Sequence, residues 1–242
     1  MKRSASSMDK SSKYLHHRGV SETVATLIGD LVGSRSSQDR TVLHQHLDAG
    51  LAEVNDLLRP LRPMWITAGD EYQGVFATVA EAVRATLLVR VRLLPTYDIR
   101  HGIGWGTTTV LDGDSRVEDG PGWWAARAAI EAAAGAEASP GQRWLRTAYV
   151  VADGAGGAPD PGLVNAGLVL RDERVSGLSE RSVSVLRGLL GHVTQRDVAE
   201  ALGISASAVS QRVRADGLAA IVAAHDLLAP ADRGVGTEEG DR

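Results

Sequence analysis

The run Thr194–Gly217, TQRDVAEALGISASAVSQRVRADG, restricts the fold more than any other stretch of the chain. Val198, Ala199 and Leu202 recur at helical spacing over Gln195–Leu202. Gly203 follows, and it can take the left-handed conformation that ends a helix. Ser205 then offers its hydroxyl as the N-cap of a second helix. Val209 and Val213, four residues apart, put one face of that helix on a core, and the small Ala199 lets the two helices cross closely. Two short helices in this arrangement have the spacing of a helix-turn-helix, whose second helix enters the DNA major groove. Ala206, Ser207, Ser210, Gln211 and Arg214 face outward; Gln pairs with adenine and Arg with guanine. Together with Thr194, Gln195 and Ser205 they are the candidate DNA contacts. A plain helical hairpin in a packing domain is the alternative. From Asp160 to Ala229 there are seven Arg, no Lys and eight Asp plus Glu. Phosphate attraction is therefore weak per subunit, and two modest half-sites in a dimer fit better than a tight monomer.

The chain has 242 residues and a net charge of -4, so as a whole it is no polyelectrolyte binder. It has no Cys, which removes disulfides, thiolate nucleophiles and Cys-bound zinc. No apolar run reaches the length of a membrane span. Met1–Val20 lacks the apolar centre of a signal peptide, so the expected setting is cytoplasmic. The seven His are scattered and form no metal set.

Read in order, Thr23–Gly29 is a buried strand ending at Asp30. Gln38–Leu58 is an amphipathic helix stopped by Pro60 and Pro63. Met64–Ala68 and Tyr72–Phe76 are strands of a hairpin with Asp70 at its tip. Val79–Leu94 is a second helix, Ile99–Thr109 a fourth strand, Asp112–Gly120 a charged loop, Gly122–Ala138 an Ala-rich helix, and Arg143–Ala152 a further strand. This order predicts an α+β fold: a ferredoxin-like antiparallel sheet with helices on one face. After the Gly/Pro-rich run everything reads helical. The expected organisation is a tail over 1–20, a sheet domain over 21–152, a linker over 153–162, a helical domain over 163–229, and a polar tail over 230–242.

Asp30 stands at a strand end, and Asp70 and Glu71 at the hairpin tip. In a sheet of this order Asp30 and Asp70 meet across neighbouring strands, where two carboxylates repel unless a cation or proton lies between them. Such oxygen ligands suit Mg²⁺, which takes its remaining ligands from water and phosphates. Free N–H groups of Leu31, Val32, Gly33 and Ser34, with Arg35 beside them, offer a phosphate site. The alternative is that the aspartates bond their own turns. Of the tryptophan pair, Trp124 is expected in the core and Trp123 beside a ligand; Trp105 is expected to pack in the sheet.

The fragments GDLVGSR, AGDEYQGVF, IRHGIGWG and GPGWWAARAAIEAA, in this order, resemble the class III nucleotide cyclase pattern, akin to GGDEF-type domains. With the C-terminal helix-turn-helix included, the chain from about Thr23 to Leu228 resembles the SatD family. The resemblance implies that Asp30 and Asp70 match the cyclases' metal-binding aspartates, and that Arg127 matches the arginine that stabilises phosphate charge. Two positions depart. Trp123 stands where the cyclase pattern has a ribose-orienting asparagine, and Ile66 where it has a purine-reading lysine. Trp cannot supply that hydrogen bond, though it can stack on a base.

These readings combine into a transcriptional regulator. Its sheet domain binds a nucleotide or cyclic (di)nucleotide with Mg²⁺ and forms a homodimer, and its helix-turn-helix reads DNA. The alternative is a metal-dependent nucleotidyl or phosphoryl transfer enzyme using Asp30, Asp70 and Arg127, with the helices as its regulatory part. A third reading makes the helical part a protein-binding module.

Overall fold

The computed structural model describes residues 22–33, 40–111 and 118–230. Ser34 and Arg35 lie outside the described residues, as do the expected tail over 1–20 and residues 231–242 of the expected C-terminal tail. The first strand, β1 (Thr23–Leu31), is the centre of a five-stranded sheet. It is followed by α1 (Arg40–Leu58), the hairpin β2 (Arg62–Ala68) and β3 (Glu71–Phe76), α2 (Val79–Leu93) and β4 (Ile99–Thr107). Next come a small ribbon of β5 (Thr109–Val110) with β6 (Glu118–Asp119), then α3 (Pro121–Gly135) and β7 (Thr147–Val151). The sheet order is β2-β3-β1-β4-β7. It is not wholly antiparallel, because β7 runs parallel to β4. The expected strand to Thr109 ends at Thr107, and part of the expected charged loop forms β6.

Helices cover both faces of this sheet, not one. Along β1 the side chains alternate. Ala25, Leu27 and Leu31 join the Leu-rich core formed with α1 and α2, while Val24 and Ile28 join Trp123, Ala126 and Ile130 of α3. The second face is a backbone-to-backbone contact. A Cβ on Gly102 would lie 2.1 Å from the Ala126 carbonyl oxygen, and one on Gly104 would lie 2.2 Å from that of Gly122. Without side chains on β4, α3 sits down against the strand. The order of elements along the chain carries no record of which face a helix takes; the glycines of β4 decide it.

Helix α2 is capped by Thr78, whose side chain accepts the Glu81 N–H, while Glu81 accepts the Ala77 N–H in return. It is buried almost all round, because a second layer lies behind it. That layer comprises α4 (Pro161–Ser176), α5 (Glu180–Leu190), α6 (Gln195–Ala201), α7 (Ala206–Ala215) and α8 (Leu218–Leu227). Leu168, Val185, Leu186, Val209 and Leu218 share one apolar cluster with Leu88 and Val89. Arginines fasten the layers: Arg187 donates to the Val91 and Leu94 carbonyls, and Arg171 to the Val83 carbonyl and to Thr86 and Thr147. The Gly/Pro-rich run between β7 and α4 is pinned where Trp105 Nε1 donates to the Gly156 carbonyl at 2.9 Å.

Candidate functional site

Register alone brings the first candidate cluster together. Asp30 pairs with Glu71 on β3 and with Arg100 on β4, so three charged side chains leave one face of the sheet side by side. Arg127 reaches them from α3 and grips Glu71 through two hydrogen bonds of 2.9 Å. Gly69, with φ of +63, forms the hairpin tip beside Asp70. Burial raises the Asp30 carboxyl above its ordinary value; Arg100 opposes this, Asp70 and Glu71 add to it, and Arg127 opposes it. Glu71, not Asp70, is the residue opposite Asp30; Asp70 lies one position further on, in the turn, and acts on Asp30 through its charge.

Arg100 Nε stands 3.7 Å from Asp30 Oδ1, too far for a hydrogen bond, and both atoms are buried without one. A buried carboxylate oxygen left in this way is costly and suited to a cation. Mg²⁺ fits the residues present: Asp30 and Asp70 would supply two oxygens, and water and phosphate the rest. Among the described residues no group of three or more His, Asp or Glu forms a self-sufficient metal site.

The expected phosphate turn differs. Leu31 is paired with Ile99 inside the sheet and is buried. The Val32 N–H already donates to the Asp98 carbonyl at 2.9 Å. The Val32 N–H expected to be free therefore continues the ladder, and Gly33, with φ of +72, begins the turn. Arg127 is committed to Glu71, and this bond, the largest influence on it, raises its pKa.

The tryptophans exchange the places expected for them. Trp123 is 6% exposed in the core under β1, with its Nε1 donating to Glu118. Trp124 is 62% exposed and donates to Asp119 at 2.7 Å. The stripe Trp123, Ala126, Ile130 is apolar, whereas Trp124 aligns with the charged Arg127 and Glu131, so the helical spacing held the signal. Arg100 was missed because only strand register places it beside Asp30.

Beneath β1, on the other face, Tyr72 lies across Gly29, where a Cβ would come within 2.2 Å of its ring. Tyr72 meets His101 edge to face at 6.0 Å. Burial lowers the His101 pKa well below its ordinary value, with Arg171 and Arg90 adding to the effect, so the ring is neutral.

The second candidate lies in the helical layer. Thr194 caps α6 by accepting the Asp197 N–H, and Ser205 caps α7 by accepting the Ala208 N–H. Gly203 has φ of +62 at the turn. Val198, Ala199, Val209 and Val213 are the buried residues of the pair. Thr194, Gln195, Ser205, Ala206, Ser207, Gln211 and Arg214 are exposed. Ser210 is half-buried and accepts from Arg214 at 2.8 Å. Among the described residues no helix is long and apolar enough to cross a membrane.

Residues 24–138 match the SatD family model. The matched span holds the whole Asp30 cluster. No curated protein matches the chain. Among solved structures the chain is similar to the guanylate cyclase domain of RhGC from Catenaria anguillulae, solved with GTP. The two are 18% identical over 46% of this chain and 73% of that one, with a TM-score of 0.38. It is similar, at the same identity, coverage and score, to a dimeric guanylyl cyclase domain of the RhoGC fusion protein from Blastocladiella emersonii. The adenylyl cyclase CyaB from P. aeruginosa is also 18% identical, over 43% of this chain and 69% of that one, with a TM-score of 0.34.

Proposed function

We propose that the protein is a DNA-binding transcriptional regulator whose SatD region is a nucleotide sensor and whose active form is a homodimer. The observation that carries the sensor is the buried Asp30 Oδ1, which has no hydrogen bond and only a long ion pair of 3.7 Å with Arg100. Asp30 and Asp70 would hold a Mg²⁺ ion that brings a nucleotide or cyclic (di)nucleotide with it, and such an ion would satisfy that oxygen. Arg100 and Arg127 lie on the same side and would face the phosphate charge. When bound, a cation would supply charge neutralisation at the phosphates; Asp30 and Asp70 would hold it, and Trp123 packs against β1 on that same face.

The DNA-reading half rests on α7, whose capped N-terminus and residues Ala206, Ser207, Gln211 and Arg214 all face solvent. Gln211 and Arg214 are the base-reading groups, with Thr194, Gln195 and Ser205 placed for phosphates. Ligand acts by favouring the dimer geometry that sets two recognition helices one DNA turn apart.

A second reading, a metal-dependent phosphoryl or nucleotidyl transferase, draws on the same orphan oxygen. The bidentate hold of Glu71 on Arg127 favours the sensor, since the arginine is engaged before any ligand arrives.

Thermal unfolding against nucleotides and cyclic dinucleotides with Mg²⁺ tests the sensor. A ligand at about 100 times its Kd adds about 2.7 kcal/mol, a shift of several degrees, and Asp30→Asn abolishes it. Formation of a cyclic or hydrolysed product that Asp30→Asn abolishes would select the transferase. Binding of genomic DNA fragments that falls steeply with salt and is lost in Arg214→Ala supports the reader; salt-independent binding would sink it.

A further inference from the structure

Helix α4 carries Leu163, Gly167, Leu170 and Arg174 along one side, at helical spacing. Leu163 is 76% exposed and Leu170 73%. Facing them is α8, LAAIVAAHDL, of which only Leu218, Ile221 and His225 are buried. Leu227 at its end is 86% exposed. A helix that is apolar on nearly every side belongs inside an assembly. Between α4, α8 and the start of α2 runs a groove of about 680 Å³, floored by Val83, Leu168 and Ile221.

Three features say what covers this groove. Gly167 sits in mid-helix, where Gly costs about 1 kcal/mol against Ala. A Cβ there would meet nothing within 4 Å, so nothing in the described chain calls for a glycine. Close approach of a second helix does. The charges about that point are also self-complementary. Asp160 lies seven residues before Gly167 and Arg174 seven after it; both are exposed. Among the described residues Arg174 has no carboxylate partner, its guanidinium lying over Gly217. Finally, the groove is lined at the surface by protruding leucines and by small exposed residues, Gly167, Ala220 and Ala224, which leave room for a second helix.

We infer that the α4–α8 face is the homodimer interface of this protein, with two α4 helices crossing antiparallel at Gly167. A twofold axis there brings Arg174 beside Asp160 of the partner subunit, and places Leu163 and Leu170 in the partner's groove. Antiparallel packing also sets a cation at the end of one helix near the anion at the start of the other. A small lipophilic ligand would meet the leucines that line the groove but would leave Asp160 and Arg174 at its two ends without ion-pair partners; a second copy pairs them. This inference rests on the dimeric reading above and puts its contact in the helical layer, away from Asp30.

The test is light scattering of the full chain over a concentration range. The expected mass is twice 25.5 kDa. Leu170→Glu should give the monomer mass with an unchanged circular-dichroism spectrum, since the side chain is exposed, and a melting temperature that no longer rises with protein concentration. Arg174→Glu alone and Asp160→Arg alone should each weaken the dimer several-fold, and mixing these two variants should restore a heterodimer. A wild-type monomer at every concentration overturns the interface and the dimeric reading together. A dimer that survives Leu170→Glu overturns only the interface. A mixture that stays monomeric overturns the crossing at Gly167, and a monomer that takes up a fluorescent fatty acid overturns it in favour of a ligand site.

Discussion

The molecule holds two clusters of opposite charges, one closed and one open. The closed cluster lies between the sheet and α4. Asp172 is fully buried there; one of its oxygens accepts the Arg146 and Thr147 N–H groups at 2.8 and 2.7 Å, and the other meets Arg171 and Arg90. Asp98 accepts from Arg90 and Arg146 at 2.8 and 2.7 Å. Burial pushes the Asp98 pKa up, but Arg90 and Arg146 outweigh it and hold the carboxyl below its ordinary value. The open cluster at Asp30 has the same residue types and contrary behaviour: a long contact, two atoms without hydrogen bonds, and a raised carboxyl. Buried ions that are completely bonded hold a fold together, whereas ions left short of partners can take a ligand.

Breaking the closed cluster should have the largest effect. Asp172→Ala leaves two backbone N–H groups unpaired in the interior and takes from Arg171 its carboxylate partner. We expect a loss of about 3–5 kcal/mol, read from the urea midpoint at constant slope. A loss below about 1 kcal/mol would remove the distinction between the clusters.

Acid comes next. His225, buried beside α2, receives the Arg84 N–H at 3.4 Å. Burial, with Arg84 next, lowers its pKa from 6.5 to about 4. His101 shifts in the same direction. The unfolded chain therefore takes up these protons first as pH falls, and stability declines from about pH 6.5 down to about pH 4. At about 1.4 kcal/mol for each pH unit, His225 contributes on the order of 3 kcal/mol. Melting temperature against pH should show the slope, and His225→Leu should flatten it.

The open cluster should respond to cations in a sense the closed one cannot. Arg100→Gln removes a positive charge facing Asp30, so Mg²⁺ affinity should rise about tenfold, or about 1.4 kcal/mol, by calorimetry. Weaker binding in this variant would mean that Arg100 takes part in holding the ligand. Because the Asp30 carboxyl is raised, cation binding should weaken as pH falls through that raised value.

The smallest effect is expected at Arg127, whose side chain is 46% exposed. Arg127→Lys keeps the charge and loses the two-pronged bond, for less than about 1 kcal/mol of stability. A large loss of nucleotide binding in the same variant would place Arg127 on the phosphates.

The sequence made the local elements legible. Each predicted strand and helix exists, with ends displaced by a few residues, because apolar spacing, Pro stops and Ser/Thr caps act over one or two turns. The central position of Asp30 beside the hairpin was also legible, since a strand ending in a charge next to a Gly-Asp turn restricts the register. What escaped was set by contacts between distant residues. Arg90 reads as an exposed helix position in LLVRVRLL, yet α4 and Asp98 enclose it. Nothing in the local run LRDER separates the enclosed Asp172 from its charged neighbours. The side taken by α3 depended on Gly102 and Gly104 lacking side chains, which no helical pattern records.

Asp98 also closes a mechanical loop. Its carbonyl holds the Val32 N–H at the end of β1, and its carboxylate is clamped by two arginines, one of which reaches Asp172 on α4. The end of β1 beside Asp30 therefore has no slack of its own. A ligand that lifts Val32 must either surrender that bond or pull on the peg that anchors α4, so the stiffness of one aspartate sets how much of a small movement at the sheet edge reaches the helical layer.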